Sequence, residues 1–244
     1  MNQRILTIEE NLPLTASVYR LKLSGRELEE QKPGQFINLL LPGRFLRRPI
    51  SVYDWEPGAV TVIYKTVGQG TEQLSAIRSG ETLDVLTGLG NGYDLEKAGE
   101  RPLLLGGGAG VPPLYLLAKR LTEQGKTVTA VLGFNTSSEV FGEEAFRALS
   151  CRVTVTTADG SYGTKGFVTD ALPDMYSYFY ACGPEPMLRA VYRAAKTSGQ
   201  FSLEERMGCG FGACMGCSIQ TVGGPKRVCR EGPVFAKEEI LWAD

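Results

Sequence analysis

RPLLLGGGAGVPPLYLLAKRLTEQG, residues 101–125, reads as a strand, a glycine loop and a helix in succession. Leu103-Leu104-Leu105 is an unbroken apolar run, as expected of a strand buried on both faces of a parallel sheet. Leu114, Leu117, Ala118 and Leu121 recur at i, i+3, i+4 and i+7, which gives one apolar stripe on a helix ending at Gly125. Between them Gly106, Gly107, Gly108, Ala109 and Gly110 carry almost no side chain. Their N–H groups are free to face a pyrophosphate at a helix N-terminus, and Pro112 suits the first turn of that helix. The dinucleotide fingerprint is partial: Gly106 and Gly108 supply G-x-G, but the third position is Val111. On this loop alone, a tight strand–helix turn with no ligand is the competing reading.

Outward from this stretch the alternation continues. Strands are predicted at 127–132, 152–157 and 177–182, with helical stretches near 143–149 and from about 185 to 198. Strand and helix in turn make residues 99–200 a nucleotide-binding α/β domain with a parallel sheet. Toward the N-terminus the period changes to two. Residues 18–23, 59–64 and 82–86 alternate as strands, and Pro33-Gly34, Pro42-Gly43 and Pro57-Gly58 are turn signals between such runs. Short strands at this spacing predict a small antiparallel barrel over residues 1–98.

Toward the C-terminus lies the densest chemistry, in a lobe of residues 201–244. Four of the six cysteines, Cys209, Cys214, Cys217 and Cys229, follow the spacing C-x4-C-x2-C-x11-C. The first three have the spacing of plant-type [2Fe–2S] loops. Glycines at 208, 210, 212 and 216 let a backbone wrap closely and turn N–H groups toward anionic sulfur. Residues 218–221 and 226–228 flank a Gly223-Gly224-Pro225 turn, a hairpin that returns Cys229 to Cys217. Four thiolates also suit tetrahedral zinc, although zinc sites usually pair two C-x2-C knuckles and only one is present. Disulfides do not fit a chain with no mark of secretion.

Composition narrows the remaining classes. The 244 residues include 26 basic and 27 acidic side chains, a net charge of −1, which offers no basic surface for nucleic acid or an anionic membrane. No apolar stretch approaches a membrane span, and the N-terminus has no apolar signal core, so a cytoplasmic location is expected. The chain has no histidine. His-based triads, HExxH zinc sites and Rieske-type ligation are therefore excluded.

Arg48-Pro49-Ile50-Ser51, with PGQF at 33–36, GQGT at 68–71 and Cys182-Gly183-Pro184-Glu185-Pro186-Met187, resembles the ferredoxin–NADP⁺ reductase superfamily. The resemblance implies an N-terminal barrel that holds FAD and a second domain that holds a nicotinamide nucleotide. It assigns Arg48 to the flavin pyrophosphate and Ser51 to the reactive flavin edge, with Pro49 and Ile50 between them. Ile50 stands where the family commonly has a stacking tyrosine. It assigns backbone groups of Ile63, Tyr64 and Lys65 to the flavin pyrimidine, and Gly70 and Thr71, with Thr71 as helix cap, to a phosphate. Cys182 falls beside the nicotinamide, where a catalytic contribution is implied. Guanidinium is chemically apt for phosphate, which it binds through two parallel hydrogen bonds.

The full pattern, including the string 202–217 and all four cysteines, is similar to the electron-transfer subunits of two-component, NAD-linked dihydroorotate dehydrogenases. That similarity implies a [2Fe–2S] cluster, FAD and NAD, and an FMN-containing dihydroorotate-oxidising subunit as partner, two copies of each forming a heterotetramer. Electrons would pass from the partner's flavin through the cluster to FAD and leave as hydride to NAD⁺. A sister group of sulfide dehydrogenase and ferredoxin oxidoreductase subunits shares the architecture but commonly has aspartate at one ligand position. An independent NAD(P)H reductase and a zinc-stabilised nucleotide-binding regulator are the other readings.

Overall fold

The computed structural model describes residues 1–242. Of the predicted C-terminal lobe, 243–244 lie outside the described residues.

Six antiparallel strands close into a barrel in the order β1-β2-β5-β4-β3-β6: β1 Asn2–Pro13, β2 Val18–Ser24, β3 Phe36–Leu40, β4 Arg48–Glu56, β5 Ala59–Lys65 and β6 Thr82–Leu89. Leu6, Ile8, Leu21, Leu23, Ile37, Leu39, Val60, Val62 and Val85 fill the interior, the inward positions of the period-two pattern. A short helix, α1 (Gln69–Ser75), follows β5.

The second sheet has seven strands in the order β10-β9-β8-β7-β11-β12-β15. Its centre is β7 (Leu103–Gly107), flanked by β8 (Thr129–Phe134) and β11 (Phe179–Cys182), all parallel. β9 (Arg152–Thr157) and the two-residue β10 (Thr164–Lys165) extend one side, and β12 (Gly199–Ser202) extends the other. Helices α2 (Tyr115–Glu123), α3 (Glu143–Ala148) and α4 (Glu185–Ala194) connect these strands. β7 is followed by two 3-10 turns, Gly108–Gly110 and Pro112–Leu114, before α2 starts at Tyr115. Pro112 and Pro113 stand at the first positions of that second turn, where a missing N–H costs no helical bond. α4 stops at Ala194, four residues short of the expected 198.

The cysteine lobe is built on a hairpin, β13 (Ser218–Thr221) and β14 (Gly224–Arg227). Thr221 pairs with Gly224, so the turn is Val222-Gly223 and not Gly223-Gly224-Pro225. Gly224, at φ 97°, belongs to the strand edge. After Cys229 the chain forms β15 (Val234–Ala236), which adds to β12 as the sheet's antiparallel edge. The expected boundary at 200/201 therefore falls inside β12, and the lobe gives one strand back to the nucleotide sheet.

One apolar cluster joins all three regions. Phe36, Leu86 and Leu89 from the barrel pack with Leu103, Phe179 and Phe201 from the sheet and with Cys217, Val228 and Cys229 from the lobe. Tyr93 meets Tyr180 edge-on at 5.4 Å across the barrel–sheet junction. The three regions share a core.

Candidate functional site

β4 and β5 part company in the middle of the barrel wall. Their pairing runs from Glu56↔Ala59 to Val52↔Val62 and goes no further among the described residues. Beyond it Arg48, Pro49, Ile50 and Ser51 pair only with β3, and Ile63, Tyr64 and Lys65 pair only with β2. A notch with backbone groups on one wall and Arg48–Ser51 on the other is left between them. Side chains of this notch point both ways. Tyr64 turns into the barrel, stacks on Tyr19 at 5.7 Å and donates to Asn11 Oδ1 at 2.9 Å. Ile63 packs against the nucleotide domain. Lys65 reaches across to Glu139 in the loop after β8, at 3.3 Å.

Arg47 and Arg48 have opposite fates. Arg47 is used structurally: Nη2 meets Asp84 at 2.9 Å and Nη1 donates to the carbonyl of Asp84 at 3.0 Å. Arg48 has no carboxylate partner among the described residues; Nη1 donates to the carbonyl of Leu46 at 2.8 Å. Its guanidinium lies over Gly70, where a Cβ would come within 2.2 Å of Nε. A cationic fork above a residue with no side chain, at the start of α1, suits a phosphate. Thr71 does not cap α1. The helix starts at Gln69 behind Gly68, and the Thr71 hydroxyl accepts from Val67 N–H at 2.9 Å and donates to the Gly68 carbonyl at 3.0 Å. The helix is capped three residues earlier, at Gly68, so Thr71 falls inside its first turn.

The C-terminal ends of β7, β11 and β12 lie side by side, with Cys182 opposite both Gly106 and Ser202. A crevice at such strand ends is where open α/β sheets take ligands. A Cβ on Gly110 would stand 2.2 Å from the Cys182 carbonyl oxygen, so the glycine loop rests directly on the C-G-P turn. Gly107 is equally tight against Met187. Gly108, at φ 51°, and the exposed Ala109 face open space. The Cys182 thiol is 2% exposed, and burial pushes it up to about 12, so it stays a thiol. Cys151 is buried in the same cluster.

At the outer end of β9, Asp159 accepts from the Ser161 hydroxyl at 2.6 Å and from its N–H at 2.9 Å. These bonds hold the Asp159 carboxyl below the usual carboxylate range. Ser161 in turn accepts from Ser137 N–H at 2.8 Å, which ties this acid to the loop after β8.

The four thiols of the lobe stand as two pairs. The Cys209 sulfur accepts from the N–H groups of Ala213 at 3.2 Å and Cys214 at 3.4 Å. Burial works against ionisation there, but hydrogen bonds from Cys214 and Phe211 outweigh it and lower the thiol to about 6. Cys217 and Cys229 form the second pair, with Cys229 N–H donating to the Cys217 sulfur at 3.4 Å. Burial, then the hydrogen bond with Cys217, pushes Cys229 upward. Two thiol pairs fit a two-iron group, one pair to each iron. The loop is held from behind by Arg227, which donates to the Gly212 carbonyl at 2.6 Å and pairs with Glu231.

Asn38 and the Lys65–Glu139 pair carried no signal in the sequence. Asn38 is a polar residue in a stretch whose apolar pattern dominates, and the two contacts span 171 and 74 positions, beyond any local pattern.

Residues 204–241 match the family described as the iron–sulfur cluster binding domain of dihydroorotate dehydrogenase B, and residues 104–193 match the oxidoreductase NAD-binding domain. A protein of Geobacillus sp. (strain WCH70) named dihydroorotate dehydrogenase B (NAD(+)), electron transfer subunit, is 44% identical over 99% of both chains. One of the same name from Fusobacterium nucleatum is 41% identical over 96% of both. A solved structure of the NADH-dependent reduced ferredoxin–NADP oxidoreductase superposes with TM-score 0.89 at 33% identity, over 98% of this chain and 90% of that one. A cytochrome P450 reductase from Amycolatopsis, at 22% identity and TM-score 0.69 over 80% and 66%, shares the fold. The chain belongs to the family of dihydroorotate dehydrogenase B (NAD(+)) electron transfer subunits.

Proposed function

We propose that this chain takes single electrons from a dihydroorotate-oxidising flavoprotein and returns them as hydride to NAD⁺. The observation that carries the reading is the placement of two thiol pairs on a loop packed against the barrel that also bears Arg48–Ser51. Cys209 and Cys214 would hold one iron of a [2Fe–2S] cluster, and Cys217 and Cys229 the other. Arg48 would bind the FAD pyrophosphate over Gly70, and the notch from Ile50 and Ser51 to Ile63, Tyr64 and Lys65 would take the isoalloxazine. Bound FAD supplies the exchange between single electrons and a hydride. The chain's own residues orient it. Gly106–Gly110 and the C-G-P turn shape the nicotinamide crevice, and the buried Cys182 thiol lines its floor without ionising. Four cysteines favour this family over relatives in which an aspartate replaces a ligand. Three regions follow, 1–98 for FAD, 99–200 for NAD and 201–244 for the cluster, with β12 straddling the last boundary and β15 pairing with it.

The partner face is the cysteine loop. Phe211 is 43% and Met215 54% exposed, beside the exposed Ala213 and Cys214. An apolar patch at the point where electrons enter is a docking surface for the FMN-containing subunit, two copies of each forming a heterotetramer. Met207 packs inward and is not part of it. Mixing the two proteins with dihydroorotate and NAD⁺ is expected to form NADH only when both are present. Phe211→Asp and Met215→Asp should each slow that transfer, while NADH-driven dye reduction by the isolated subunit stays unchanged. Transfer at full rate in both variants would place the entry point elsewhere.

Nucleotide choice follows from Asp159. An ionised carboxylate tied to the loop after β8 suits a ribose 2′-hydroxyl and repels a 2′-phosphate. kcat/KM is expected to be higher with NADH than with NADPH, and Asp159→Asn should narrow the difference. Steady-state rates with both nucleotides check this, and a preference for NADPH refutes it. Among the described residues no helix is long and apolar enough to cross a membrane; a cytoplasmic location accords with the reaction.

A further inference from the structure

One polar side chain is buried where the barrel meets the cysteine lobe. On β3, Ile37 and Leu39 point into the barrel, and Phe36 faces outward into the cluster of residues that includes Cys217 and Cys229. Asn38 lies in the outward row with Phe36 and is 1% exposed. Its Nδ2 donates to the Cys209 carbonyl at 3.3 Å. Gly210 takes φ 79°, and a Cβ there would stand 2.3 Å from Nδ2, so the loop can come this close only with glycine at that position. Across the sheet Asn38 pairs with Pro49, between Arg48 and Ile50. Its own carbonyl accepts from Arg47 Nη1 at 3.3 Å, which fixes the strand. Oδ1 is buried and meets no donor among the described residues.

We infer that the Asn38 carboxamide is a positioning residue: it clamps the first cluster ligand to the strand that carries the flavin site, and so sets electron exchange between the two. This rests on the reading that Cys209 holds iron and that Arg48–Ser51 hold FAD. The physical reason is local. The peptide whose carbonyl Asn38 holds follows Cys209 directly, and its other neighbours aim N–H groups at the Cys209 sulfur. Releasing that carbonyl frees the loop to drift from β4 while both binding sites remain.

The test uses the holoprotein. Asn38→Leu removes the donor, and Asn38→Asp keeps the shape but presents oxygen to a carbonyl. In both, iron and FAD contents should match the parent, and NADH should bleach the flavin at the parent rate in stopped flow. Onward reduction of the cluster should slow at least about fivefold, the factor that corresponds to one net hydrogen bond. Two readouts independent of turnover should move with it: faster amide exchange across 208–214, and an altered EPR spectrum of the dithionite-reduced cluster. Cluster reduction at the parent rate in both variants overturns the inference. So does loss of iron, or of FAD, from both, because Asn38 would then be needed for binding and not for the path between. A parent protein without iron or flavin would instead sink the cofactor reading itself.

Discussion

The Cys214→Ser protein is expected to lose its iron and labile sulfide while keeping FAD. Cys214 is the exposed member of the set, so serine there costs no buried packing and any loss reports ligation. Cys209→Ser, Cys217→Ser and Cys229→Ser should give the same result. Cys217 and Cys229 are each 2% exposed within the shared core, where a hydroxyl adds a folding cost on top of the lost ligand. FAD should survive in all four, because the notch between β4 and β5 contains no thiol. Iron, sulfide and flavin assays on the purified proteins separate the two effects. Full iron content in the Cys229→Ser protein would remove that residue from the ligand set, and the hairpin would then have no ligand to return.

Arg48→Leu is expected to show the complementary loss, of FAD with the cluster retained. Among the described residues the guanidinium has no carboxylate to fall back on, and its atoms are the ones nearest to a Cβ at Gly70. A charged hydrogen bond is worth about 1.5–3 kcal/mol, so flavin Kd should rise roughly 10- to 150-fold. Arg48→Lys should recover only part of this, since an ammonium cannot form the two-pronged contact. Titration of the apoprotein with FAD, followed by flavin fluorescence, measures the change. An unaltered Kd in Arg48→Leu would assign the pyrophosphate to another group.

How far the sequence carried the fold depended on period and length. β7 and β9 were legible as runs of apolar or β-branched residues, and the stripe Leu117, Ala118, Leu121 lies buried on α2 as expected. β1 was not legible, although it is the longest strand. Ile5 faces outward at 65% exposure, and the register shifts between Ile8 and Glu10, so the alternation is broken twice. β15 has three residues, too short for any period, and is held by a strand 32 positions earlier. The C-x4-C-x2-C spacing located the thiols because such ligands are local in sequence. Asn38 and the pairing of Lys65 with Glu139 stayed hidden because such contacts are set only by the packing of one region on another. The cap at Thr71 and the turn at Gly223 went astray for a smaller reason: several adjacent glycines could each make the turn, and only the register decides.

β15 also bears on how this chain can be divided. Ending it after residue 200 would cut β12 in half, remove Phe201 and Ser202, deprive Gln200 of its antiparallel neighbour Ala236 and open the cluster around Phe179 to water. The product would be an exposed sheet edge beside an unfilled core, a surface that recruits other strands. The lobe alone would fare no better, since Val228, Phe235 and Ile240 find their packing partners in the sheet. A laboratory wishing to graft this electron inlet onto another reductase would therefore have to transplant the sheet edge with it, the way a drawer is moved together with its runners.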